Sequence, residues 1–192
     1  KPLAIDRVVA LRKGQPWVEI ETTVDNTVED HYLQAVFPTG VETDRLDVQG
    51  QFDVVDRSFK TPSFDEFDDP PQAEFPMNSF VDASDGKRGL AILNDGLKAY
   101  IADEDPARTV RMTLLRCFPL RIIATSRMID YSQTDKGSQC PGRHTFRYAL
   151  MPHKGGWAEG NVWNAATQFT TPLRACQVGP TCVARRITLH PA

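Results

Sequence analysis

Nothing in this chain of 192 residues approaches the roughly 20 consecutive apolar residues that a bilayer crossing needs, so no membrane contact is expected. No charged stretch leading into an apolar one opens the sequence. An excess of positive charge is missing too. The 22 basic and 25 acidic residues leave a net charge of −3, which gives no electrostatic footprint for nucleic acid. Cysteine is scarce: Cys117, Cys140, Cys176 and Cys182 are too few to be the framework of a chain this long, and no Cys-x-x-Cys occurs. They are expected to be free thiols in a reducing compartment. Cys176 and Cys182 would close a small loop only in a secreted protein. There is no Asn-x-Ser/Thr sequon, which disfavours a glycosylated exterior.

Catalytic signatures are equally sparse. The four histidines (His31, His144, His153, His190) are scattered, and none pairs with a carboxylate at helical spacing, so no metal site is expected within the chain. No Gly-x-Ser-x-Gly appears, and no glycine-rich loop joins a strand to a helix. Cys140 precedes His144 by four residues, but Pro141-Gly142 intervenes and a loop thiol is the simpler reading. The acidic run between Asp65 and Glu74 lacks the ligand spacing and central glycine of a calcium loop. It reads as solvated.

What the chain does have is strand and turn chemistry. Hydrophobic residues make up 41% and charged residues 24%, an ordinary globular balance. Val18, Ile20, Thr22 and Val24 alternate with Glu19, Glu21, Thr23 and Asp25, the period of a half-buried strand. Further strands are expected at Ala4 to Leu11, His31 to Phe37, Gln51 to Arg57, Ser79 to Asp82, Gly89 to Leu93, Leu97 to Ala102, Thr109 to Cys117, Arg121 to Ser126, His144 to Met151 and Arg186 to Leu189. Asp85-Gly86 and Asn94-Asp95-Gly96 supply positive-φ residues for the turns that bracket Gly89 to Leu93. Ser58 to Met77, with five carboxylates and three prolines in its core, reads as a loop, as does Asp130 to Arg143.

One helix is expected, over Trp157 to Phe169. There Ala158, Val162, Ala165, Ala166 and Phe169 form one stripe, and Pro172 stops the run. Nine to eleven strands without strand–helix alternation predict an all-β fold, an antiparallel β-sandwich with one short helix near its C-terminal end. Trp157 and Trp163 are expected to dock the helix on the sandwich. Trp17 falls on the polar face of its strand, exposed or covering a sheet edge.

Several motifs, in order and spacing, carry a resemblance. They are Phe37-Pro38-Thr39-Gly40, Phe52 to Arg57, Phe80-Val81-Asp82 leading into Ser84-Asp85-Gly86, Gly89 to Leu97, Leu114-Leu115-Arg116 and His144 to Leu150. Together they resemble the C-terminal β domain of glycoside hydrolase family 38, the retaining α-mannosidases, and Trp157 to Pro172 resembles the helix that follows in bacterial members. The resemblance implies a supersandwich similar in shape to galactose mutarotase folds. It implies one β domain over residues 1–192, cut from a larger enzyme whose zinc ligands and nucleophilic aspartate lie in a catalytic domain elsewhere, beside a helical domain. No catalytic residue is then expected in this chain. Substrate, a mannose-containing oligosaccharide, would be touched at most from the turn after Asp85, by Arg88 first, with Asp82 and Asn94 more suited to bracing turns. A cytoplasmic bacterial setting is expected, with an apolar face left exposed where neighbouring domains sat. Two other functions remain open: a free-standing carbohydrate-binding module that uses Trp17, and a mutarotase-like enzyme in which His144 or His153 lacks an identified acid partner.

Overall fold

A computed structural model describes residues 3–60, 73–124, 127–132 and 134–171. Among them thirteen strands and one α-helix form: β1 Ala4–Leu11, β2 Val18–Asn26, β3 Tyr32–Pro38, β4 Arg45–Gln49, β5 Val54–Ser58, β6 Glu74–Pro76, β7 Phe80–Ser84, β8 Arg88–Asn94, β9 Ala99–Ala102, β10 Thr109–Arg116, β11 Arg121–Ala124, β12 Arg127–Asp130, β13 Gly142–Lys154 and α1 Val162–Thr170. A seven-stranded sheet runs β1-β2-β13-β8-β7-β4-β5, a four-stranded sheet runs β3-β10-β9-β6, and β11 pairs with β12. Every described pairing is antiparallel. The expected all-β sandwich is what forms.

Alternation explains the layering. Ile20, Val48, Ile92 and Tyr148 from the larger sheet meet Phe37, Tyr100, Val110 and Met112 from the smaller one in a single buried cluster. The other face of the larger sheet is covered by α1. Phe80, Ala91, Leu93, Ala149 and Met151 pack there against Val162, Ala165, Ala166 and Phe169. Four strands do not cover seven. Ile5, Val9 and Leu11 share the interior face of their β2 partners Val24, Ile20 and Val18, yet they are 44%, 61% and 76% exposed.

β13 stitches the sheet together. Its first part pairs with β2 from Gly142 to Leu150, and its end pairs with β8 from Tyr148 to Lys154. The strand was expected to stop at Met151. It continues through Pro152 because β8 alone flanks it there, and the side away from β8 needs no ladder donor.

Other expectations are corrected. The helix begins at Val162, not Trp157, since Asn161 (φ 55°) takes left-handed backbone that breaks the run, and Ala158 is exposed. Within the expected Ser58 to Met77 loop, Glu74–Pro76 forms β6, at the edge of its sheet, where proline is tolerated. Arg127–Asp130, at the edge of the expected polar loop, pairs as β12. Arg45–Gln49 was not expected and lies between β5 and β7. The core of the acidic run, Cys176, Cys182, His190 and the expected strand Arg186 to Leu189 lie outside the described residues.

Candidate functional site

The β7–β8 hairpin carries all three residues nominated for substrate contact, and its turn is built as the sequence suggests. Asp85 Oδ1 accepts the backbone N–H groups of Lys87 at 2.8 Å and Arg88 at 2.9 Å, and Gly86 takes φ 81°. Those two backbone hydrogen bonds, Arg88 first, hold the Asp85 carboxyl below its usual range. The Arg88 side chain, 69% exposed, donates from Nη2 to the Gly40 carbonyl at 3.3 Å. Gly40 follows β3 and donates its own N–H to the Ala107 carbonyl at 2.9 Å. An acidic cleft of about 700 Å³ is lined by Glu42, Asp44, Glu104, Asp105 and Arg108, and Arg88 is not among its lining residues.

Asp82 and Asn94 are placed differently. Both are 0% exposed. Asn94 does brace a turn: its Nδ2 donates to the Asn78 carbonyl at 2.9 Å, and its backbone N–H donates to the Ser79 carbonyl at 2.8 Å. Asp82 braces none. Its Oδ1 meets His153 Nε2 at 2.7 Å, with side-chain exposures of 0% and 3%. So His153 does have an acid partner, 71 residues away in sequence, but both side chains are closed off from solvent.

Two glycines enclose that imidazole. A β-carbon on Gly89 would lie 2.4 Å from His153 Cε1, and one on Gly160 would lie 2.4 Å from Nδ1. Burial, the largest single influence, pushes the His153 pKa down. The Asp82 hydrogen bond and charge outweigh it, so the imidazole titrates above its ordinary range. Asp47, opposite Asp82 on β4, is pushed up by burial and then by the Asp82 charge.

The aromatic candidates for sugar binding are also accounted for. Trp17 is 5% exposed and meets Phe169 edge-on at 6.1 Å, so it seals α1 to the sheet and offers no sugar platform. Trp157 and Trp163 each lie 6.4 Å from Phe80. Among the described residues, no three His, Cys, Asp or Glu side chains converge as a metal ion requires. His144 stacks on Phe146 at 6.2 Å, and its Nε2 meets the Cys140 carbonyl at 2.9 Å.

The family model described as Glycosyl hydrolases family 38 C-terminal domain matches residues 2–119. The chain belongs to this family. Among relatives of this family 38 domain, a putative mannosylglycerate hydrolase of Halalkalibacterium halodurans is 27% identical over 165 residues, covering 82% of this chain and 16% of that protein. Alpha-mannosidase 2C1 of Homo sapiens is 29% identical over 171 residues, 89% of this chain and 14% of its own length. The crystal structure of an alpha-mannosidase from Enterococcus faecalis V583 superposes with a TM-score of 0.72 at 26% identity, over 86% of this chain and 18% of that one. The family 38 domain thus spans 14–16% of the length of these curated relatives.

Proposed function

We propose that residues 1–192 form a non-catalytic β domain of an α-mannosidase that hydrolyses terminal α-mannosyl residues of oligosaccharides. On this reading it packs on the catalytic and helical domains of the same polypeptide. The observation that carries the reading is the family match over residues 2–119, in a chain that spans about a seventh of relatives named as mannosidases. The uncovered strip Ile5, Val9 and Leu11 supports packing, because it extends an interior face beyond the sheet that should cover it. In such a parent, one carboxylate forms a glycosyl intermediate and a second carboxyl serves as acid and then base. Zinc belongs on this reading to the catalytic domain. A cytoplasmic setting goes with the same reading. Among the described residues no helix is long and apolar enough to cross a membrane.

The test is direct. The purified chain hydrolyses no aryl α-mannoside, with or without added zinc, and sediments as concentration-dependent oligomers through its apolar strip. A chain carrying Val9→Lys and Leu11→Lys sediments as a monomer. Metal-dependent turnover by the chain alone, or a clean wild-type monomer at high concentration, overturns the reading.

Arg88 is the one nominated residue with a side chain open to solvent. In the intact parent, Arg88→Ala raises KM about tenfold, the loss of one charged hydrogen bond, while kcat stays within about twofold. Unchanged KM would remove Arg88 from the substrate site.

A further inference from the structure

The β11–β12 hairpin leaves and re-enters the sandwich through two cysteines. Cys117 follows β10, and Cys140 closes the 3-10 turn Gly137–Gln139 ahead of β13. Both are free, Cys117 being 5% exposed and Cys140 half-buried. Asn26, 2% exposed at the end of β2, holds both: its Nδ2 donates to Cys117 Sγ at 3.5 Å and to the Cys140 carbonyl at 2.7 Å. Gln139 fixes the turn from the other side. Its Nε2 donates to Asp30 Oδ1 at 2.7 Å, and its Oε1 accepts the Asp30 N–H at 2.8 Å. Cys140 itself takes a left-handed φ of 46°, uncommon for a residue with a β-carbon. Both cysteines pack in one small cluster: Cys117 is buried with Val24 and Leu115, and the half-buried Cys140 packs against that cluster. On the free side of Cys117, His31 Nε2 lies 3.7 Å from its sulfur.

We infer that Cys117 and Cys140 form a dithiol site that a small-molecule disulfide oxidises by two electrons to an intramolecular disulfide. Cys140, the more exposed sulfur, reacts first. Its thiolate attacks one sulfur of the reagent and displaces the other half as a thiolate, leaving a mixed disulfide. Burial, followed by the Cys140 neighbour, keeps Cys117 protonated until this point. Its proton then passes to His31 Nε2, its sulfur attacks Cys140 Sγ, and the second small thiol leaves. Two protein S–H bonds and one reagent S–S bond are lost. One protein S–S bond and two reagent S–H bonds form, so the reagent takes both electrons and both protons. The bond closes a loop around the 22 residues 118–139 and ties β11 and β12 to the body of the sandwich.

The test uses the full chain with Cys176→Ser and Cys182→Ser, incubated with oxidised glutathione and compared with the reduced protein. The accessible thiol count after denaturation falls from two to zero. Non-reducing peptide mapping recovers Cys117 linked to Cys140, and Tm rises by roughly 6–12 °C for a loop of this length. Adding Cys140→Ser leaves one thiol and abolishes the rise. Two persistent thiols, a stable glutathione adduct on Cys140 beside a still-alkylatable Cys117, or linkage only between chains overturns the inference. If the double serine chain does not fold, mapping the unaltered chain reads the same peptide, and its absence overturns the inference equally.

Discussion

Replacing His153 by Ala lowers the unfolding free energy by about 3–5 kcal/mol, because it strands a buried carboxylate. Asp82 is 0% exposed, and among the described residues its Oδ2 lacks a partner, which leaves His153 Nε2 as the one hydrogen-bond partner of its side chain there. Removing both partners together, with Asp82→Ala and His153→Ala, costs less than removing His153 alone, since no charge is left buried. Urea denaturation of the three variants measures this. A loss below about 1 kcal/mol for His153→Ala would show that the pair contributes little.

The same pair makes stability depend on pH in a stated direction. The folded pKa of His153 lies above its unfolded value of about 6.5. Its contribution is therefore complete below that unfolded value and is lost as pH rises through the folded one. Unfolding free energy falls as pH rises beyond about 6.5, and His153→Ala flattens that part of the profile.

Phe80→Ala has an effect of similar size for a different reason. The ring is 0% exposed and sits between the outer face of the large sheet and α1, with Trp157 and Trp163 around it. Truncation costs about 3–5 kcal/mol through lost contacts and the cavity left behind. A helix of nine residues is marginal without packing, so α1 frays first. Tryptophan emission shifts to the red before the far-ultraviolet signal of the sheets is lost. Coincident transitions at the wild-type midpoint would refute the assignment of Phe80 as the anchor of α1.

Where one physical rule governs a segment, the sequence is readable. The period-two run Val18 to Asp25 becomes β2, and the stripe Val162, Ala165, Ala166 and Phe169 becomes the buried side of α1. It fails where two rules compete. Trp17 falls on the face that alternation marks as polar, but that face lies under α1, so the ring is buried against Phe169. Strand β4 carries Asp47 and Gln49 among its five residues, which hides it from a hydrophobic pattern although it lies inside the sheet. β6 is hidden by its acidic, proline-bearing surroundings, and only pairing with β9 reveals it.

The site is less readable than the fold for a related reason. The Asp85 turn and the exposure of Arg88 follow from local residue choice. The Asp82–His153 pair does not, because a contact across 71 residues leaves no local signal. A sequence clue existed in the glycines. Gly89 sits within a strand and Gly160 just ahead of a helix, and both are places where a missing β-carbon admits a ring.

The long strand β13 also has a consequence for how the chain is made. The hairpin of β1 and β2 leaves the ribosome before the rest of the sandwich, and the strand that docks it into the sheet is synthesised on the order of 120 residues later. At cellular elongation rates that interval is roughly 6–25 seconds. Throughout it the nascent hairpin holds an open ladder edge and an uncovered aliphatic surface, the kind of segment that co-translational chaperones shield.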